Sequence, residues 1–322
     1  MADQVLQQGN VATGSPPEIR KDHTGHAWIH AIAAMRLWVL LPVGVFLVLA
    51  LIGPLAANDP TAQNLSNRLQ PPVFLDGSWS HPLGTDGLGR DIFARMLIAS
   101  RLSLIVGTLA AGISAVIGVS LGLLAGSRGG ALDTMTTAMV ELVLSIPTIV
   151  FGIVLVATLG QSMTNLVVIL VISGWIGYAR VVRLQARHLM HADFVLASVA
   201  IGANRRWIAL RHLFPNVLPL VIVLFFQQVA AVMLWEASLT YLGIGLPIER
   251  VSLGGMIKDG QLQLFDGWWV SAAPGLVIAL AVIGFSLLAD WLQRELDPVR
   301  RTRRSRGSRR VEGGTASDID HQ

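Results

Sequence analysis

From Leu102 to Ser127 the chain carries no charged side chain, and comparable apolar runs cover Leu37–Ala57, Leu166–Tyr178, Leu213–Trp235 and Trp268–Leu292, the last interrupted only by Asp290 near its end. Runs of about 20 such residues match the thickness of a bilayer core. Inside hydrocarbon each backbone N–H and C=O must be paired within its own segment, so a chain of this kind is restricted to helices. Composition agrees: 14% of the 322 residues are charged and 53% are hydrophobic, against about a quarter charged in a soluble domain. The fold class is therefore all-α integral membrane. There is no cysteine, which excludes disulfides, thiolate catalysis and cysteine-bound metals.

The sequence divides into three parts. Residues 1–29 lack periodicity and read as a flexible N-terminal tail. Residues 30–299 form the membrane domain, with spans at about 37–57, 102–126, 134–159, 164–182, 213–235 and 269–291. Residues 300–322 read as a disordered tail, opening with seven arginines between Arg300 and Arg310 that suit anionic lipid. The first apolar run is too long for a signal peptide and reads as an uncleaved span. His23, His26 and His30 lack partner carboxylates, and His188 and His191 beside Asp193 have simpler explanations; no metal site is expected.

The largest departure from plain spanning segments is Tyr178–Asn216, which holds six arginines and, within it, FVLASVAIGA. Phe194, Ala197, Ala200 and Ile201 share one face at helical spacing. Asp193 is placed to begin that helix, and Gly202 and Asn204 to stop it. With six spans and both termini on one side, that side receives 18 of the 24 basic residues. The positive-inside rule then makes the arginine loop and both termini cytoplasmic. A small apolar helix on that side suggests docking against another protein. No nucleic-acid signature accompanies the basic residues, and nucleic acid is excluded as a partner.

On the opposite side HPLGTDGLGRDIFAR, from His81 to Arg95, reads as a tight structural loop. Gly84, Gly87 and Gly89 allow positive φ, and the Arg90 fork can bridge the carboxylates of Asp86 and Asp91. GTDGLG fits neither nucleotide-binding glycine pattern. Gly118 and Gly122 form a GxxxG pair without naming a partner. Glu236 is read as the end of the fifth span, and Gln227 and Gln228 lie within it. Glu141, Glu236 and Asp290 are too scattered for a catalytic set, so the chain is read as non-enzymatic. A proton-coupled secondary transporter or a non-transporting scaffold is the alternative class; the first would concentrate its charges at mid-membrane, whereas here the polar side chains concentrate in the cytoplasmic loop.

These residues resemble the permease subunits of bacterial ABC importers of the peptide/nickel class, specifically the shorter of the two paired permeases. HPLGTDGLGRD at 81–91, RLSLIVG at 101–107, ASVAIGA through RHLFPN at 197–216, EASLTYLGIGLP at 236–247 and LDP at 296–298 carry the likeness. The cytoplasmic motif of that family is matched by Leu196, Ala197, Ser198, Gly202, Leu213, Phe214 and Pro215. Leu196 replaces its glutamate and Ser198 its second alanine, while Leu253 and Glu141 stand where Trp and Asp are usual. The resemblance implies a six-helix type I importer permease in the bacterial cytoplasmic membrane. It implies a coupling helix at about 193–204 that meets an ATPase through Asp193, Phe194, Leu196, Ala197, Ser198, Ala200, Ile201, Gly202 and Ala203. Arg180, Arg183, Arg211, Pro215 and Asn216 would brace it. The implied partners are a second permease, two ATPases that use ATP and Mg, an extracytoplasmic binding protein and membrane lipid. The chain itself would bind no cofactor and would conduct di- or oligopeptides or a related small solute.

Overall fold

The computed structural model describes residues 37–56 and 59–296. The tails at 1–29 and 300–322, the segment leading to Leu37 and the histidines at 23, 26 and 30 lie outside the described residues. Among the described residues the extended regular elements are all helices, beside one isolated bridge between Thr85 and Asp91, the longer helices being α1 (Leu37–Leu51), α2 (Ile92–Arg128), α3 (Gly130–Leu144), α4 (Thr148–Leu159) and α5 (Met163–Met190). They are followed by α6 (Asp193–Ala200), α7 (Arg205–Ile208), α8 (Phe214–Tyr241), α9 (Leu253–Gly260) and α10 (Trp269–Leu296). A five-residue π turn, Ala209–Leu213, joins α7 to α8, so that Arg205–Tyr241 runs as one 37-residue rod.

Among the described residues four helical segments are long and apolar enough to cross a bilayer: α2, α5, the α7–α8 rod and α10. A fifth is reached if α3 and α4 count as one span. The sequence suggests that this third span is continuous, but the two halves meet at 78°. Pro147 sits at the break, as the residue before α4. It has no N–H to donate and its ring clashes with the preceding turn, which ends a helix. Helix α1 is a shorter apolar helix, followed by the helical turn Gly53–Ala56.

The centre of the bundle is a seam between α2 and α5. Gly118, Gly122 and Gly126 recur every fourth residue and so form one stripe of α2. A Cβ on Gly118 would lie 2.4 Å from the Trp175 carbonyl oxygen, one on Gly122 2.8 Å from that of Ala179, and one on Gly126 2.6 Å from that of Arg183. The two backbones therefore touch. In lipid, where apolar burial gives no driving force between helices, such close approach is a main source of association. The partner of the GxxxG pair is thus within the chain itself. The opposite flank is built similarly: a Cβ on Gly284 of α10 would come within 2.8 Å of the Val43 nitrogen of α1. Phe46, Phe226 and Phe285 fill the space around it, with Phe46 edge-on to Phe285 at 6.1 Å and Phe226 stacked on it at 6.4 Å.

Helix α8 continues to Tyr241, so Glu236 is inside the helix and not at its end. It is fully buried. The Ser103 hydroxyl of α2 donates to its Oε2 at 2.7 Å, and Thr240 donates to Oε1 at 3.3 Å. The carboxyl thereby joins α2 to α8.

Substituting Gly122→Leu is expected to cost about 1–3 kcal/mol through overpacking and to lower the melting temperature of the purified protein in detergent. Gly112, on the same helix with nothing within 4 Å of a Cβ, is expected to accept Ala without loss. Equal melting of both variants would show that the seam does not hold the bundle.

Candidate functional site

Helix α6 closes the arginine-rich connection between α5 and the α7–α8 rod. Ala192 precedes it as the cap residue, without a side-chain bond. Asp193 is not the cap that its position suggests; it stands in the first turn, where its charge favours the positive end of the helix. Gly202 ends α6 at φ +84°. Its N–H bonds the Val199 carbonyl at 2.9 Å, and the Ala203 N–H bonds that of Ser198 at 3.0 Å. This pair of bonds is the glycine-dependent C-terminal closure of a helix.

One side of α6 is buried and the other is bare. Val195 is fully buried among Val182 and Ala186 of α5, Ile208 and Leu213, a burial that contributes about 1.5–3 kcal/mol. Ser198 lies on the same inward side, donating to the Phe194 carbonyl at 2.9 Å and lying 3.2 Å from His212 Nε2. The His212 ring is edge-on to Trp207 at 4.9 Å and 5.8 Å from the Phe194 ring. Phe194, Leu196, Ala197, Val199, Ala200 and Ile201 are exposed, Ile201 at 84%. The apolar face anticipated from spacing is thus turned away from the protein's own core. Ser198 does not belong to it, and Ala203 is half-buried. At Gly202 there is open space around a Cβ, so the glycine is needed for its backbone and not for clearance.

The bracing differs from the sequence expectation. Arg183 forks Asp133 of α3 through Nε–Oδ1 and through Nη2–Oδ2 at 2.9 Å. Arg180 and Arg211 are exposed and form no ion pair among the described residues. Pro215 cannot donate to the Arg211 carbonyl, and the helix widens into the π turn just before it. The Asn216 side chain donates to the His212 carbonyl within that turn at 2.6 Å. Asp133, Val195, His212 and Trp207 went unnoticed in the sequence. Asp133 had a signal, being the single acid in the short turn facing the loop arginines; the inward role of His212 had none.

At the other end of α2 the glycine loop forms a compact knot. Asp86 is buried, with Oδ1 accepting from the Leu88 and Arg90 N–H groups at 2.9 and 3.0 Å. Its Oδ2 accepts from Arg90 Nε at 2.7 Å and from Arg95 Nη1. Both arginines continue to Asp259 of α9, at 3.2 and 3.3 Å. Asp91 is not bridged by Arg90, as its neighbourhood suggests; it caps α2 by accepting from the Phe93 and Ala94 N–H groups. Gly84 and Gly89 have φ of +78° and +73°, and a Cβ on either would strike the Gln70 or Asn64 carbonyl oxygen. The knot therefore fastens the preceding loop, α2 and α9 together.

A family model described as a binding-protein-dependent transport system inner membrane component matches residues 118–302. The chain is 34% identical to the dipeptide transport system permease protein DppC of Bacillus subtilis, over 91% of each chain. It is 32% identical to the oligopeptide transport system permease protein OppC of the same organism, over 84% of this chain and 89% of that one. It is 34% identical to the probable D,D-dipeptide transport system permease protein DdpC of Escherichia coli, over 79% of this chain and 84% of that one.

Burial pushes the Asp86 carboxyl up, but the Arg90 and Leu88 N–H groups and the Arg90 guanidinium outweigh it and hold its pKa below the ordinary carboxylate value. A depressed native pKa gives stability that is present above the unfolded value and lost as pH falls through the native one. Replacing Asp86 by Asn is expected to cost about 3–5 kcal/mol at neutral pH by leaving buried guanidinium charge uncompensated. In melting curves against pH, the gap between wild type and Asp86→Asn should begin to close only below about pH 4. A gap independent of pH down to acid unfolding would remove the carboxylate from the account.

Proposed function

The chain belongs to the family of binding-protein-dependent transport system inner membrane components, and on that premise we propose how its parts serve transport. It is a permease subunit of a peptide-type ABC importer, a multi-pass protein of the inner membrane. It conducts and transmits, and it is not an enzyme. Its relatives are named for dipeptides, oligopeptides and D,D-dipeptides, and the cargo proposed here is a di- or oligopeptide or a similar small solute.

The single observation that carries the coupling role is the exposed apolar face of α6, rigidly held from behind by Val195 and Ser198. It stands in the connection that holds six arginines. An apolar patch presented on a fixed helix at a charged surface fits a partner groove, and in this family setting the partner is an ATPase. Because Leu196 is apolar, the contact depends on shape and not on a carboxylate. ATP with Mg is used by that partner.

The remaining proposals follow from the same premise. Six spans result if α1, with the turn Gly53–Ala56 after it, and the bent α3–α4 pair each cross once. Both termini and α6 are then cytoplasmic, and the Asp86 knot with α9 faces outward, where an extracytoplasmic binding protein docks. The permease domain extends over 30–299, between an N-terminal tail and a basic tail at 300–322. A second, homologous permease completes the path, with one ATPase for each permease.

The substitution Ile201→Asp, or Ala197→Asp, places a charge on the exposed face without disturbing the buried one. Substrate-stimulated ATPase activity of the reconstituted importer is expected to fall on the order of tenfold, equivalent to about 1.4 kcal/mol of lost contact, while membrane insertion and melting stay as in wild type. Gly202→Val is expected to act differently, by straining the end of α6 and lowering stability as well. Wild-type coupling in both Asp variants would refute the assignment.

A further inference from the structure

Where the end of α2, the start of α3, the end of α5 and the start of α7 meet, a cavity of about 270 Å³ opens to the surface. Arg128, Arg187, Arg205 and His191 line it, with Asp133 at its edge. Asp133 offsets only part of this charge: the Arg183 fork engages both its oxygens, and Arg187 Nη1 forms a second, longer ion pair with it at 3.6 Å. Arg128 and Arg205 also line the space and form no ion pair among the described residues. Arg205 is fixed at the rim by donating from Nη1 to the Arg128 carbonyl at 3.1 Å.

Gly129 and Gly130 also line it, both at positive φ, with nothing within 4 Å of a Cβ at either. Guanidinium groups are the side chains best matched to the oxygens of a phosphate, which they bind through paired N–H donors. The height of the cavity is set by sequence: Arg128 directly follows the uncharged run that ends at Ser127. That is the level at which hydrocarbon gives way to headgroups. Just beyond, α3 exposes Leu132 and Met135, apolar surface on which an acyl chain can lie.

We propose that this cavity holds the phosphate group of an anionic phospholipid, bound by Arg128, Arg187 and Arg205. The site is separate from the exposed face of α6, and it stands whether or not the coupling role of that face is correct.

Native mass spectrometry of the full chain in mild detergent, with phosphatidylglycerol added back, tests this directly. Wild type is expected to retain one tightly bound phosphatidylglycerol, in preference to phosphatidylcholine. The double variant Arg128→Gln/Arg205→Gln should lose occupancy about tenfold, whereas Arg128→Lys/Arg205→Lys, which keeps the charge, should retain most of it. Lys258→Gln, a basic residue at the opposite end, should bind as wild type does. Each preparation carries the same basic tail, so its contribution cancels. Undiminished binding in the glutamine variant, or equal loss in Lys258→Gln, would overturn the site. Inorganic phosphate at millimolar concentration is expected to leave the lipid bound. Its displacement of the lipid would assign the cavity to a free phosphate anion and overturn the lipid assignment. Should the glutamine variant fail to fold by circular dichroism, wild type and the lysine variant decide the matter, because equal retention of phosphatidylcholine and phosphatidylglycerol by both would refute the proposal.

Discussion

The contact on which the rest of this structure depends is backbone against backbone, where Gly118, Gly122 and Gly126 bring α2 onto the carbonyls of α5. A soluble bundle could hold two helices together by excluding water from leucines. Lipid tails remove that option, and close approach of small residues takes its place. The seam also sets the geometry at one end of the protein. Gly126 packs against Arg183 and Ala186; Arg183 pairs with Asp133, and Ala186 belongs to the cluster that seats Val195. The position of α6 is thus inherited, contact by contact, from three glycines inside the membrane.

The Asp86 knot and α6 are finished by opposite chemistry. At Asp86 the chain buries charge and satisfies it with backbone N–H groups and two arginines, giving a loop with few alternative arrangements. At α6 it leaves apolar side chains uncovered and stabilises only the underside. A buried charged network has steep geometric demands, because an unpaired member costs several kcal/mol. An uncovered apolar face has few such demands and tolerates a partner of approximate fit. One end is therefore suited to keeping its shape and the other to making and breaking contact.

Much of this was legible in the sequence because lipid simplifies the code. Uncharged runs mark helices, arginines mark an end, and Phe194, Ala197, Ala200 and Ile201 at helical spacing mark a face. Gly202 was legible too, since a glycine after an apolar helical run is a strong stop signal. Other features depend on which helices touch, and no single segment carries that information. Arg180 and Arg183 look equivalent along the chain, but only Arg183 meets Asp133. Glu236 looks like the polar end of a span, yet Ser103 of a different helix supplies a hydroxyl that lets it sit inside. Hydropathy alone reads 134–159 as one continuous span, and the 78° bend at Pro147 is not visible in it.

The π turn at Ala209–Leu213 keeps α7 and α8 in one unbroken rod despite Pro215. At 1.5 Å per residue its 37 residues measure about 55 Å, more than the hydrocarbon layer is thick. Helix α6 grips the lower part of this rod through Ile208, Leu213 and His212, and the far part carries Glu236 and leads to the segment that Thr240 ties down at Leu246. The consequence is geometric: if a straight rod of that length tilted as a rigid body about one end, each degree would displace its other end by about 1 Å.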